Sequence, residues 1–255
     1  MSPSTTVPLV PRSRSAALTA LAGSLRGELA LPGEEAYDRL RTPFDLTVQV
    51  EPVAVVAAVD AYDVATAVRI AREHRLRVGV QSTGHGTHAA MTGALLVHTG
   101  LLDECVVHPE GWARVGAGVA WRAVLDAAAE HGLTGLAGSS SAVGVVGYTT
   151  GGGLGPMART YGLASDRVRA FDVVTGQGRL LRATPQEHAD LFWGLRGGRG
   201  SLGIVTAVEL DLVRQRSVYG GCVWFDGADA ERVLRAWASW ADTLASAKNK
   251  LENRL

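Results

Sequence analysis

The sequence predicts an α+β protein, and three patterns lead to that prediction. Residues 53–59 form a continuous apolar run typical of a buried strand, and residues 77–81 are predicted as a second strand. Between them, apolar residues recur at helical spacing after Asp63, which is expected to cap the helix. The short links of this β-α-β unit predict parallel strands. Hairpins are expected around residues 109–111 and 176–178, where turn residues separate apolar stretches.

The remaining pattern adds further elements along the chain. Residues 121–131 are amphipathic and are followed by Gly132, a residue suited to the turn that ends a helix. Residues 144–155 are apolar enough to be buried but too rich in glycine for an ordinary helix or strand. Further strands are expected at 93–99 and 203–213 and from 216 to 224, and further helices at 185–195 and 228–247.

The composition argues against several classes of protein. The 25 basic and 25 acidic side chains cancel, so a general affinity for nucleic acid or an anionic membrane is not expected. No stretch approaches about 18 consecutive apolar residues, so no membrane span is expected either. Cys105 and Cys222 lie far apart without the spacing of metal ligands. A reducing compartment is therefore the default, and we expect a cytoplasmic protein.

One glycine-rich stretch matches the residue types of a nucleotide-binding motif but not the secondary structure that the motif requires. Residues 198–203 fit G-x-G-x-x-G, but the dinucleotide fingerprint needs a strand before it and a helix after it. Here the predicted order is reversed, with a helix before and a strand after. A nicotinamide-binding site of the Rossmann type is therefore rejected.

Two other glycine-bearing segments leave more than one interpretation open. Gly84-His85-Gly86 follows a strand and can be an ordinary turn or a place where backbone and histidine meet a ligand. A zinc site with His88 and His98 lacks a completing ligand at sensible spacing, so no metal is expected. The 144–155 run can serve close backbone packing or supply amide donors around a phosphate or a flavin.

Taken together, the motifs carry more information than any single piece. Their order and spacing resemble the PCMH-type FAD-binding fold of the berberine-bridge-enzyme-like FAD-linked oxidoreductases, in the vanillyl-alcohol-oxidase superfamily. The resemblance covers about residues 27–240 and implies two α/β subdomains followed by an incomplete α+β substrate domain. The segments that carry it are residues 63–69, 84–85, 143–147, 151–155, 161–163, 190–198 and 203–206.

The resemblance implies a role for each matching residue. In this family a histidine is bonded to the 8α carbon of the flavin, and His85 stands in its place. The family's second linking residue, a cysteine, is replaced by Ser140, so a single bond is expected. Tyr148 replaces a histidine and can donate a hydrogen bond or simply be a core tyrosine. The resemblance places Ser82, Thr83, Gly84 and Gly86 at the pyrophosphate. It places Ser139, Ser140, Gly144, Gly147 and Tyr148 along the ribityl chain and ring, with Gly152 and Gly153 packed near it. Ile204 and Val205 are expected to bond the cofactor through their backbones.

The resemblance also implies a function and a domain organisation. The expected organisation is a lead-in at 1–26, the FAD-binding domain at 27–217 and the start of a substrate domain at 218–255. The expected reaction removes a hydride from a C–H bond next to oxygen or nitrogen of a small organic substrate. The electrons then pass to oxygen or another acceptor. No catalytic base is identified, because the matching region lies outside this chain, and a non-catalytic, truncated flavin-binding remnant is the alternative.

The predicted helix at 228–247 carries a broad apolar stripe. Its members are Val233, Trp237, Trp240, Ala241 and Leu244, spaced to lie on one face. Exposed patches of this kind favour association. We therefore expect this chain to be poorly soluble or to self-associate through the helix.

Overall fold

The computed structural model describes residues 12–252, with the side chains of residues 14–243. The helices are α1 Arg12–Ala22, α2 Glu35–Arg41, α3 Ala61–Glu73, α4 Trp121–Ala129, α5 Val145–Thr150, α6 Ala158–Tyr161, α7 Ala189–Leu195 and α8 Ala230–Glu252. The strands are β1 Glu28–Ala30, β2 Ala54–Ala57, β3 Val78–Gln81, β4 Leu95–His98, β5 Cys105–His108, β6 Trp112–Gly116, β7 Leu133–Thr134, β8 Val168–Val174, β9 Leu180–Ala183, β10 Ile204–Asp211 and β11 Val213–Arg214. The predicted α+β class is confirmed.

The first sheet contains the predicted β-α-β unit. Its strand order is β1-β2-β4-β3. Both β2 and β3 pair with β4 in parallel, and β1 pairs with β2 antiparallel. The two strands of the unit are therefore parallel, as predicted, but β4 lies between them. This order makes β3 an edge strand, and the segment after it leaves the sheet at that edge.

The second sheet is antiparallel, with the order β5-β6-β10-β8-β9. The β5–β6 and β8–β9 pairs are the two predicted hairpins, and β10 joins them at the centre. The short strands β7 and β11 form a separate pair. One buried hydrophobic cluster includes Val56 and Val64 from the first sheet and its helix, and Phe171 and Val208 from the second sheet. The two sheets therefore share a core.

Asp63 does not cap α3 as the sequence suggested. The cap is Asp60, whose carboxylate accepts the N–H groups of Tyr62 and Asp63, each at 2.9 Å. The Asp63 side chain is buried and accepts three backbone N–H groups instead, from Arg26 at 2.8 Å, Gly27 at 2.9 Å and Val59 at 3.1 Å. A buried carboxylate needs such donors, and here they tie the chain before β1 to α3.

Three other predictions for single elements are wrong. The glycine-rich 144–155 stretch contains a helix, α5, because its glycines lie at the ends and on the open side of that turn. The helix expected from Pro185 begins only at Ala189, after His188 takes a left-handed φ of +53°. The strand expected from 216 to 224 does not form in the described residues, and Tyr219 and Trp224 there are exposed.

The chain separates into two compact units after Arg216. The second unit consists of an extended segment and α8, which covers the helix predicted at 228–247. On α8, Trp237 and Trp240 are 60% and 57% exposed. The side chain of Leu244 lies outside the described residues, as do residues 1–11 of the predicted lead-in.

Candidate functional site

The histidine loop, residues 82–86, starts at the carboxyl end of β3. Its sharp turn depends on Gly84, which has a φ of +78°. A Cβ on Gly84 would lie 2.7 Å from the backbone N of Phe44 and 2.9 Å from Cα of Pro43. Phe44 N–H also donates to the Gly84 carbonyl oxygen at 3.4 Å. Glycine is therefore required at this position both for the backbone conformation and for the contact with residues 43–44.

The His85 ring is held from two sides. Phe44 stacks on it with ring centroids 3.9 Å apart and an interplanar angle of 17°. Its Nδ1 lies 2.8 Å from Oγ1 of Thr83, and the same hydroxyl oxygen accepts the N–H of Gly144 at 3.3 Å. Thr83 therefore connects His85 to the start of α5. Among the described residues, Nε2 of His85 has no hydrogen-bond partner.

The histidine loop also presents donors that the described part of the chain does not use. The backbone N–H groups of His85 and Gly86 meet no acceptor there. The hydroxyl of Ser82 is buried and also lacks a partner. Buried polar groups in proteins are nearly always satisfied, and clustered amides after a turn are typical of anion-binding concavities. The residues present therefore fit the phosphate groups of a nucleotide cofactor such as FAD.

The second glycine-bearing segment faces the first across Thr83. A Cβ on Gly144 would lie 3.5 Å from Oγ1 of Thr83 and 3.6 Å from Oγ of Ser82, so the two segments lie in van der Waals reach of each other without a strict need for glycine here. Ser139 and Ser140 are exposed, and the Ser140 hydroxyl accepts the N–H of Ala142 at 3.3 Å. Gly147 is exposed, and nothing lies within 4 Å of the Cβ position there. This side of α5 is open to a ligand.

Tyr148, the next residue along α5, is partly buried and packs against the hydrophobic core. Its ring meets Trp121 edge to face at 5.8 Å, and a Cβ on Gly153 would come within 2.8 Å of it. Its hydroxyl is buried without a partner, and burial raises the pKa of the phenol. Gly152 and Gly153 take left-handed φ angles of +101° and +75° in the turn after α5. The packing supports the core-tyrosine interpretation of Tyr148.

Ile204 and Val205 lie at the start of β10. They pair with Val174 and Val173 of β8, while the ladder to β6 begins only at Ala207. One edge of Ile204 and Val205 is therefore left uncovered by β6. Since α5 packs against β10, these backbones lie on the same side of the fold as the glycine-rich segment.

Sequence reasoning missed two residues that contact the histidine loop. Phe44 stacks on His85, and the Arg199 side chain lies next to Gly86 and Gly151. No local pattern marks Phe44, because its partner is 41 positions away in the chain. A signal for Arg199 was present, since an arginine between Gly198 and Gly200 interrupts a run of small residues.

A cleft of about 500 Å³ opens elsewhere, beside the second sheet. Its lining includes Arg114, Asp172 and Arg182 and none of the predicted site residues. Both arginines are paired with carboxylates, namely Asp172 and Glu209. The cleft therefore contains a satisfied ion-pair network that joins neighbouring strands.

The described residues offer neither a metal centre nor a membrane span. They contain no group of three or more histidine, cysteine, aspartate or glutamate side chains placed to hold a metal ion. None of the helices within residues 12–252 is both long and apolar enough to cross a membrane.

Fold and sequence together place the chain among flavin-binding proteins. It belongs to the FAD binding domain family, which matches residues 52–184. (R)-6-hydroxynicotine oxidase of Paenarthrobacter nicotinovorans is 31% identical over 192 residues, covering 74% of this chain and 42% of the relative. An FAD-linked oxidoreductase of Penicillium rubens is 30% identical over 243 residues, covering 92% of this chain and 51% of the relative. The chain thus spans about half or less of the length of these relatives.

Solved structures give the same result. The crystal structure of 6-hydroxy-D-nicotine oxidase from Arthrobacter nicotinovorans matches with a TM-score of 0.70 at 31% identity, covering 74% of this chain and 42% of that one. BBE-like 1 of Physcomitrella patens matches with a TM-score of 0.70 at 27% identity, covering 77% and 44%. The resemblance to berberine-bridge-enzyme-like FAD-linked oxidoreductases is confirmed.

Proposed function

We propose that this chain holds FAD between the histidine loop and the segment around α5, with His85 bonded to the 8α carbon of the flavin. The observation that carries the proposal is the state of the His85 ring. Phe44 fixes its plane, Thr83 engages Nδ1, and Nε2 has no partner in the described part of the chain. A histidine positioned in this way has one ring nitrogen available for a bond.

Support also comes from a protein of similar fold. In glucooligosaccharide oxidase from Acremonium strictum, the FAD is of the 6-S-cysteinyl, 8α-N1-histidyl kind. That structure covers 78% of this chain at 26% identity and a TM-score of 0.68. Here a serine, Ser140, stands where the resemblance places the cysteine. A hydroxyl does not form a thioether, so His85 is the single attachment point in this proposal.

Attachment oxidises the methyl carbon of the flavin by two electrons, so an electron acceptor is needed. In this proposal a bond would form between a ring nitrogen of His85 and the 8α carbon, while the methyl group would lose one C–H proton and the imidazole ring its N–H proton. Two electrons remain on the flavin, and oxygen or another acceptor removes them.

We assign the rest of the cofactor to polar groups without a hydrogen-bond partner and to backbone that no other part of the described chain covers. The hydroxyl of Ser82 and the amides of His85 and Gly86 donate to phosphate oxygens in this assignment. The open face at Gly147 receives the ribityl chain or ring, and the uncovered edge of β10 bonds the cofactor through its backbone. Tyr148 contributes packing from behind, in keeping with its position against Trp121.

For the whole protein we propose an FAD-dependent oxidoreductase acting on a small organic molecule. The bound flavin supplies the redox chemistry, accepting a hydride from a C–H bond next to oxygen or nitrogen and passing electrons to oxygen or another acceptor. Relatives with this domain include a hydroxynicotine oxidase and a carbohydrate oxidase from Microdochium nivale. The range of those names leaves the substrate class broad, and this chain's own residues bind and orient the cofactor.

The attachment is tested by acid precipitation of the purified chain after incubation with FAD. Flavin is expected in the protein pellet of the wild type and in the supernatant for His85→Ala. A peptide map of the wild type is expected to contain one flavin-bearing site, at His85, and none at Ser140. Flavin that stays in the His85→Ala pellet would show that the assignment is wrong, and a second flavin-bearing site at Ser140 would refute the single link.

Turnover is tested separately from attachment. The flavin of the purified chain is followed by its absorbance under anaerobic conditions while small alcohols, sugars and amines are added. Bleaching by one class identifies the bond that is oxidised. A chain that holds flavin but is bleached by none of these classes supports the alternative, a non-catalytic flavin-binding protein.

A further inference from the structure

The side chain of Arg199 lies between the histidine loop and the carboxyl end of α5. A Cβ on Gly151 would lie 2.9 Å from its Nε and 3.0 Å from its Nη2, and a Cβ on Gly86 would lie 3.6 Å from its Nη1. Its guanidinium therefore lies beside the residue that follows His85 and beside the end of α5. A side chain at residue 151 would displace it.

Arg199 combines an uncommon backbone conformation with a guanidinium that has no bonded partner within the described residues. It has a left-handed φ of +52°, which is uncommon for any residue but glycine. Neighbouring positions 197, 198 and 200 are glycines. In the described part of the chain its guanidinium has no ion pair, hydrogen bond or aromatic partner. Strained residues that persist in folded proteins cluster at ligand sites.

We infer that the guanidinium of Arg199 binds the diphosphate of FAD, an inference that rests on the proposed function. Three observations favour this part of the cofactor. The unused amides of His85 and Gly86 lie on the loop next to the guanidinium. The turn that holds Arg199, Arg199–Ser201, packs against α5 and leads directly into β10. A guanidinium has a donor geometry that matches two phosphate oxygens at once.

A structural role at the end of α5 is the competing explanation. A cation near a helix carboxyl terminus is favourable, and Gly151 caps α5. In that case the loss of Arg199 lowers the stability of the chain but does not distinguish one ligand from another. An anion-binding role predicts the opposite pattern, with a loss specific to ligands that carry phosphate.

The experiment compares FAD with riboflavin in the His85→Ala background, where binding is reversible. Flavin fluorescence gives the Kd of each ligand for the background chain, for the added Arg199→Gln change and for Arg199→Lys. Removing a charged hydrogen bond is expected to weaken FAD binding by about tenfold to hundredfold. Riboflavin, which lacks the diphosphate, is expected to bind within twofold of the background, and the lysine variant is expected to restore part of the FAD affinity.

A charge-matched control is Arg179→Gln, in the exposed turn between β8 and β9. It is expected to leave both Kd values unchanged. A second readout uses inorganic diphosphate and the wild-type chain without flavin. Diphosphate is expected to raise the melting temperature of the wild type and not that of Arg199→Gln.

The outcomes separate this inference from the proposed function. If the His85→Ala chain binds FAD and Arg199→Gln binds it equally well, the Arg199 assignment is overturned and the proposed function stands. Equal losses for FAD and riboflavin also overturn it, in favour of the structural role. If neither the wild type nor the His85→Ala chain binds flavin, both the proposed function and the inference are overturned.

Discussion

Thr83→Val tests whether a single hydroxyl positions His85. Valine has nearly the same shape as threonine, so the substitution removes the hydroxyl with little change in packing. The hydroxyl oxygen lies 2.8 Å from Nδ1 of His85 and accepts the N–H of Gly144 at 3.3 Å. The variant therefore loses the contact that orients the ring and the contact that joins the histidine loop to α5.

The magnitude follows from these two hydrogen bonds. Each contributes about 0.5–1.5 kcal/mol, so the free energy of unfolding is expected to fall by about 1–3 kcal/mol. The orienting bond to His85, taken alone, corresponds to a loss of about two- to twelvefold in the rate of flavin attachment. The assay mixes the flavin-free chain with FAD, stops samples with acid at intervals and measures flavin in the protein pellet.

Thr87→Val is the matched control. Its hydroxyl donates to Oε1 of Gln81 at 2.8 Å, also near the histidine loop but without a contact to His85. It is expected to lower stability by about 0.5–1.5 kcal/mol and to leave the attachment rate unchanged. Attachment at the wild-type rate in Thr83→Val would refute the reasoning. Equal slowing in both variants would assign the effect to loop stability instead.

Two further predictions concern pH and self-association. Burial first, and then the charge of Arg39, lowers the pKa of His98 in the folded chain. As the pH falls, His98 is therefore protonated in the unfolded chain before it is protonated in the folded chain. The contribution of His98 to the free energy of unfolding is fully present above about pH 6.5. It is lost as the pH falls towards the folded pKa, by at most about 1.4 kcal/mol per pH unit. Denaturant unfolding at several pH values should show a shallower pH slope for His98→Gln, and equal slopes would contradict this account. Light scattering should detect oligomers of the wild type and fewer oligomers of the double variant Trp237→Ser/Trp240→Ser. The control Trp193→Ser removes a tryptophan that is 74% exposed on α7 and should behave as the wild type does. A monodisperse wild-type monomer would exclude association through α8.

Much of the fold could be predicted because its strands are local, apolar and bounded by turns. The hairpins β5–β6 and β8–β9 follow from short turns between apolar runs. Asp60 and Asp63 show where local reasoning ends. Both aspartates suit a helix start, and only the distant amides of Arg26 and Gly27 decide that Asp63 is used elsewhere.

The candidate site was predicted less completely, for a related reason. His85 and Thr83 lie in a motif, so a resemblance can point to them. Phe44 stacks on His85 across 41 positions of sequence. The Arg199 side chain approaches Gly86 across 113 positions. Such contacts have no periodic signature, since they are set by how the two sheets and α5 come together.

The wide sequence separation of these contacts has a consequence for how the protein folds. The histidine loop meets residues 43–44, the start of α5 and Arg199, so its surroundings come from three distant parts of the chain. Closing long loops costs entropy that is recovered only when the distant contacts form, and folds dominated by such contacts assemble slowly. An early folding intermediate with only β2, α3, β3 and β4 in place would contain His85 and Thr83 without the start of α5 and Arg199. We therefore expect the cofactor to be attached after the second sheet has formed, as a late event in the maturation of the chain.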